Sequence, residues 1–150
     1  MKKFLILLSC FTLVIFLTAC GNSQKENSNT DTVKASKKEE PLNLYGTWKQ
    51  INSDDDKNYQ EAKISEDGTI EINWVSEEDD SKSLYWAGSF EAPTKETKKY
   101  SWISNNDKEK TEEALLASED DTKEFNYKNG ILSYEASALG TTTTIKMKKQ

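Results

Sequence analysis

The sequence contains no histidine and no arginine, and its 150 residues hold only two cysteines, two prolines and six glycines. Each shortage removes a class of chemistry. Without histidine, and with no cysteine beyond Cys20, neither a Ser-His-Asp nor a Cys-His nucleophile can be assembled, and zinc sites built on those ligands are excluded. The scattered glycines form no phosphate-cradling loop. All positive charge is lysine and the net charge is −6. An acidic chain without arginine is a poor partner for nucleic acid, whose phosphates need a basic face.

Two possibilities for acid chemistry remain. Paired carboxylates, as in glycosidases, or Tyr and Lys as proton-transfer groups, are still available in principle. Nearly all acids, however, fall in loops or at outward strand positions such as Glu71, as a solvated face requires. No catalytic residue and no cofactor are expected. Three acidic runs, Asp54-Asp55-Asp56, Glu77-Glu78-Asp79-Asp80 and Glu119-Asp120-Asp121, are the kind of material calcium uses. None has alternating Asp-x-Asp spacing, and neighbouring carboxylates on an extended chain point in opposite directions. Charge for solubility is the simpler account, and no metal site is expected.

The N-terminus is organised differently from the rest. Met1-Lys2-Lys3 is a short basic segment, and the apolar run Phe4 to Leu17 follows it. That run is short for a permanent membrane span and has the flanks of an export signal. It ends in Leu17-Thr18-Ala19-Cys20-Gly21, which resembles the lipobox of bacterial lipoproteins. The resemblance implies that residues 1–19 are a leader cleaved before Cys20, that the Cys20 thiol carries a diacylglyceryl group, and that the protein sits on the outer face of the cell membrane. Cys10 would leave with the leader, so the mature chain would hold one thiol and no disulfide. Loss of Lys2 and Lys3 takes the net charge from −6 to −8. Two acyl chains anchor stably where a single chain binds marginally.

Residues 20–41 carry the lipidated Cys20 and a polar stretch with no apolar anchor for a fold, so a disordered tether is expected. As a random coil it reaches about 25 Å.

From Leu42 to Gln150 the pattern has a period of two, punctuated by turn residues, and the fold class is all-β. Asn129-Gly130 is the strongest hairpin signal; a two-residue turn there sets Tyr127 against Leu132 and Phe125 against Tyr134. For Glu66-Asp67-Gly68 a three-residue loop is preferred, because it sets Ile64 against Ile70 and Ala62 against Ile72. A third strand, Lys82 to Ala92, returns beside Ile70, Ile72 and Trp74. A fourth, Lys99 to Ser104, is expected to set Tyr100 and Trp102 against Phe90 and Gly88. An opening strand, Gly46 to Asn52, and a closing one, Thr142 to Lys148, complete about eight strands. One or two helical turns are expected between Asp107 and Ser118. Sequential antiparallel strands with one apolar face close most simply as a small up-and-down barrel, or flatten into a two-sheet sandwich.

Gly46-Thr47-Trp48 in the opening strand resembles the Gly-x-Trp start of the lipocalins, although the closing arginine and C-terminal helix of that family are missing. The segments Leu84 to Phe90 and Leu132 to Thr144 resemble small uncharacterised lipoproteins of Gram-positive bacteria and their prophages, a family that brings no activity with it. These resemblances imply a lipocalin-like barrel.

Trp48, Trp74, Trp86, Trp102, Phe90 and Tyr100 share the inward parity, together with Phe125 and Tyr134. They are the candidate ligand-binding residues, since concave sites are commonly aromatic. They are equally the candidate core, because a small barrel is just wide enough for side chains and leucine, isoleucine and valine are few. Tyr45, Tyr59 and Tyr85 fall on the opposite parity, as an outer patch. The expected protein is a monomeric, non-enzymatic binder of a small apolar ligand or a cell-surface partner. The alternative is an interaction module with a filled core, of the kind a prophage would use in superinfection exclusion.

Overall fold

The computed structural model describes residues 40–138 and 140–150; the leader, Cys20 and the tether up to residue 39 lie outside the described residues. Eight antiparallel strands follow one another: β1 (Gly46–Gln50), β2 (Asn58–Ser65), β3 (Thr69–Ser76), β4 (Ser81–Ser89), β5 (Lys99–Asn105), β6 (Thr122–Lys128), β7 (Ile131–Ala138) and β8 (Thr141–Lys149). A single helical turn, α1 (Lys108–Thr111), lies between β5 and β6. All eight strands form one sheet in the order β4-β3-β2-β1-β8-β7-β6-β5. That order is an up-and-down meander curled until its first and last strands pair. A sandwich would split the strands into two sheets, so the barrel-type arrangement is the one adopted.

Local chemistry sets the hairpins. Asn129 and Gly130 both have positive φ (51° and 89°), the backbone of a two-residue turn whose twist matches its strands. Phe125 accordingly faces Tyr134, and Tyr127 faces Leu132. Gly68, at φ 84°, closes the three-residue turn that pairs Ile64 with Ile70 and Ala62 with Ile72. Both registers agree with the apolar pattern, because a one-residue slip would turn a whole strand's core set to water.

Two expectations are corrected. β5 does not lie beside β4 with Trp102 against Gly88. It pairs with β6 along its full length, and β4 meets the end of β5 through one bridge, Gly88 to Asn106, four residues further along. Closing a barrel demands a stagger between strands, and the long β4–β5 connection cannot dictate register as a tight turn does. Tyr85 is likewise not on the outer face. A bulge opposite Ile72 and Asn73 places an extra residue in β4, and both Tyr85 and Trp86 are buried.

The barrel has two unlike ends. At the closed end, Leu44 is buried, and Tyr45 packs edge-on against Phe90 at 5.7 Å. Trp48 Nε1 donates to the Leu44 carbonyl at 2.9 Å, which fixes the segment leading into β1 across the base. At the opposite end, the mouth, lie the β1–β2, β3–β4 and β5–β6 connections, which carry the three acidic runs.

Candidate functional site

A line of aromatic rings runs through the interior from the closed end to the mouth. Tyr100 stacks on Trp102 at 6.0 Å and Trp102 on Phe125 at 4.9 Å; Phe125 tilts against Tyr134 at 5.1 Å. Tyr134 stacks on Tyr85 at 6.2 Å, and Tyr85 meets the edge of Trp74 at 5.5 Å. Every spacing falls in the attractive range for aromatic pairs. The line draws rings from β3, β4, β5, β6 and β7, so residues distant in sequence share one surface.

The six candidate binding residues divide by depth. Trp48, Trp86, Trp102 and Phe90 are buried members of the core cluster, while Trp74 and Tyr100 are half-buried at its two ends. The Tyr100 hydroxyl donates to the Glu91 carbonyl at 2.9 Å at the closed end, and burial raises its pKa. Trp74 stands at the mouth, where it lines a cleft of about 420 Å³ with Gln50, Tyr59, Val75, Ser83 and Leu116.

Beneath Trp74 lies a polar layer inside the apolar barrel. Gln60, directly opposite Trp74 in the sheet, is fully buried. Its side-chain oxygen accepts a hydrogen bond from the Tyr134 hydroxyl, and its backbone N–H donates to Gln50 Oε1 at 2.8 Å. Gln60 Nε2 and the Tyr85 hydroxyl are both buried with no hydrogen-bond partner. Such groups are rare because each forfeits its hydration. Burial pushes the Tyr134 hydroxyl well above its ordinary pKa, so it stays a neutral donor.

A buried cation completes the layer. Lys123 points inward from β6, its ammonium 2.8 Å from Asp120 and 3.3 Å from the Glu135 carbonyl. It lies over the Trp86 ring at 5.1 Å and the Tyr85 ring at 5.4 Å, where a cation is attracted to the ring faces. The Lys123 hydrogen bond, followed by one from Ser118, holds the Asp120 carboxyl below its usual range. β6 and β7 cease to pair above Phe125 and Tyr134, and the Lys123 side chain spans the gap that opens.

Gln60 and Lys123 are not among the residues that the sequence singles out, and Tyr85 is expected on the outer face instead of in the interior. Gln60 and Lys123 left a readable signal, since each is a polar residue on the inward parity of its strand, two before Ala62 and Phe125. Tyr85 left none, because the bulge that turns it inward has no local marker. Among the described residues no three acidic groups converge to hold a metal ion. Glu77 and Glu78 pair instead with Lys49 and Lys57.

Comparison of the chain with protein-family models, with curated proteins and with solved structures gave no match.

Proposed function

We propose that this chain is an extracytoplasmic lipoprotein, anchored through diacylglyceryl-Cys20, whose barrel is a non-enzymatic binding domain for a small amphipathic ligand at its mouth. The lipobox and the leader before it support the anchor and the location. The observation that supports binding is that, of three buried, unpartnered polar groups among the described residues, two, Gln60 Nε2 and the Tyr85 hydroxyl, belong to neighbours of Trp74, which lines the open cleft. A ligand that supplied a hydrogen-bond acceptor to Gln60 and a polar group to Tyr85 would relieve their desolvation. Its apolar part would lie on Trp74, Val75 and Leu116. The interior below Tyr85 is filled by rings, so the ligand enters from the mouth and does not run the length of the barrel.

Native mass spectrometry of Gly21 to Gln150, purified without detergent from a host that makes membrane lipids, tests this reading. A bound mass that is lost on denaturation, and lost again in Tyr85→Phe with Gln60→Leu, supports it. A bare protein mass, with tryptophan fluorescence unmoved by added lipids, sinks it.

A second reading, the interaction module, rests on a separate observation. Leu115 is 97% exposed and Leu116 53% exposed on the β5–β6 connection at the mouth. Exposed leucines at a loop tip suit a protein partner, and a prophage role in superinfection exclusion belongs to this reading. A bare mass combined with loss of a cell-surface phenotype in Leu115→Asp would favour it.

A further inference from the structure

The lysines are not spread evenly over the barrel. Lys99, Lys128, Ile131 and Lys148 are successive cross-strand neighbours on β5, β6, β7 and β8, with Lys99 directly opposite Lys128. Lys146 lies one outward position from Lys148 on β8, and Lys98 immediately precedes β5. All five lysines are exposed. Among the described residues none of the five has a carboxylate within 4.0 Å, a property shared by Lys63, Lys95 and Lys149, whereas Lys49, Lys57, Lys82, Lys108, Lys110 and Lys123 are paired. Like charges directly opposite in a sheet are destabilising, so this row is held at a cost that the fold does not repay internally.

Position gives the row a meaning. It lies toward the closed end, where residues 40–45 run into β1: Leu42 N–H donates to the Lys95 carbonyl, and Lys149 Nζ donates to the Asn43 carbonyl. The outward carboxylates of the same face, Glu124 and Glu135, stand nearer the mouth. Of the other acids of the closed end, Glu40 precedes β1, and Glu66, Asp67, Glu91 and Glu96 belong to the β2–β3 and β4–β5 connections. Lys146 stands nearest to acid, its backbone bonded to Ile51 and Asn52 just before the run Asp54-Asp55-Asp56. For Lys99 and Lys128 the run Glu119-Asp120-Asp121 is at the far end of seven-residue strands, roughly 20 Å away at strand rise. That exceeds the Debye length of about 8 Å at physiological ionic strength, so the β5 and β6 part of the row acts locally as a cation despite the acidic whole.

We propose that the outer face of β5 to β8 at the closed end is a membrane-docking surface, in which Lys98, Lys99, Lys128, Lys146 and Lys148 meet the anionic phospholipid headgroups of the bilayer holding the chain. The inference rests on the anchor reading, because the row sits where the chain arrives from Cys20. Docked this way, the barrel turns its acidic mouth and the Trp74 cleft away from the like-charged lipid. A lysine near an anionic leaflet strengthens contact roughly fivefold, and the lipid on Cys20 supplies the second signal that stable attachment needs.

The test couples the chain from Cys20 onward, which keeps the whole described domain, through its Cys20 thiol to a maleimide lipid. The vesicles contain either phosphatidylcholine alone or an equal mixture with phosphatidylglycerol. Lysine acylation rates are then read by mass spectrometry, residue by residue. On the anionic vesicles at 0.1 M salt the five row lysines are expected to react about fivefold more slowly or less, while Lys57 and Lys82 are unchanged. The protection should disappear at 0.5 M salt and in Lys99→Glu/Lys128→Glu/Lys148→Glu. Equal rates on both vesicles overturn the proposal. So does protection by soluble poly(glycerol phosphate) with none by anionic vesicles, which would assign the face to a polymer. Chemical coupling replaces cellular lipidation here. Absent acylation of Cys20 in cells would therefore refute the anchor alone, and absent protection on these vesicles the docking face alone.

Discussion

Gln60 on β2 and Tyr134 on β7 meet inside the barrel, the tyrosine hydroxyl donating to the glutamine side-chain oxygen across 74 residues of sequence. Both are fully buried or nearly so, and the bond ties opposite parts of the sheet to one another. Removing one partner leaves the other with no water to turn to. Tyr134→Phe is expected to cost about 1–3 kcal/mol in urea unfolding. Adding Gln60→Leu should cost less than the sum of the two single changes, because the second removes the orphan left by the first. Additive losses would show that the two groups act independently.

The aromatic line separates core from cleft. Trp86 is fully buried and its Nε1 donates to Ser104 Oγ at 3.0 Å, whereas Trp74 is half-buried at the mouth. Trp86→Ala should lose about 3–5 kcal/mol, and Trp74→Ala about 1–2 kcal/mol. Thermal or urea unfolding of both variants measures the contrast. Equal losses would mean that Trp74 fills the core as fully as Trp86 does.

The seam between β4 and β5 depends on a missing side chain. A Cβ at Gly88 would lie 2.5 Å from the Asn105 carbonyl oxygen and 2.8 Å from Trp86 Nε1, with Ser104 Oγ closer still. Backbone cannot yield as a flexible side-chain tip can. Gly88→Ala is therefore expected to cost about 1–3 kcal/mol by overpacking. Faster amide exchange at Asp107, whose N–H donates to the Ala87 carbonyl at 2.8 Å beside the seam, would locate the damage. Unchanged exchange there would place the strain elsewhere.

Lys123 depends on Asp120. Its side chain is only 4% exposed and that of Asp120 is 54% exposed, so the full cost of an unpaired buried charge is reduced by solvent reaching the acid. Asp120→Asn should lose about 1–3 kcal/mol. Lys123→Met, which keeps an apolar stem over Tyr85 and Trp86, should lose less. The Asp120 pKa is lowered from 3.8 by folding, so its contribution is complete above that value and fades as pH falls through the folded-state pKa. Wild type and Asp120→Asn should differ in stability at pH 6 and converge in strong acid. A gap that stays constant down to pH 2 would show that the carboxylate charge is not the cause.

Much of the fold was legible because turn chemistry and apolar parity are local. Asn129-Gly130 and Gly68 each specified a backbone, and the backbone specified which residues faced inward. The strand limits followed to within a few residues. The candidate site was less legible. Trp74 could be placed on the inward parity, but whether it filled the barrel or stood at an opening depended on how far β4 and the β5–β6 connection closed over it. Net charge concealed the lysine row, since a sum over the chain carries no position.

The sequence by itself determined the all-β meander, both tight-turn registers and the inward set of rings, because steric limits on a turn and alternation along a strand act over a few residues. Tertiary structure alone decided the single curled sheet, the four-residue offset between β4 and β5, the inward turn of Tyr85, and the row of lysines on neighbouring strands β5, β6 and β8. Those features depend on pairing between strands far apart in the chain and on the stagger that curling imposes, and no local run of residues encodes either.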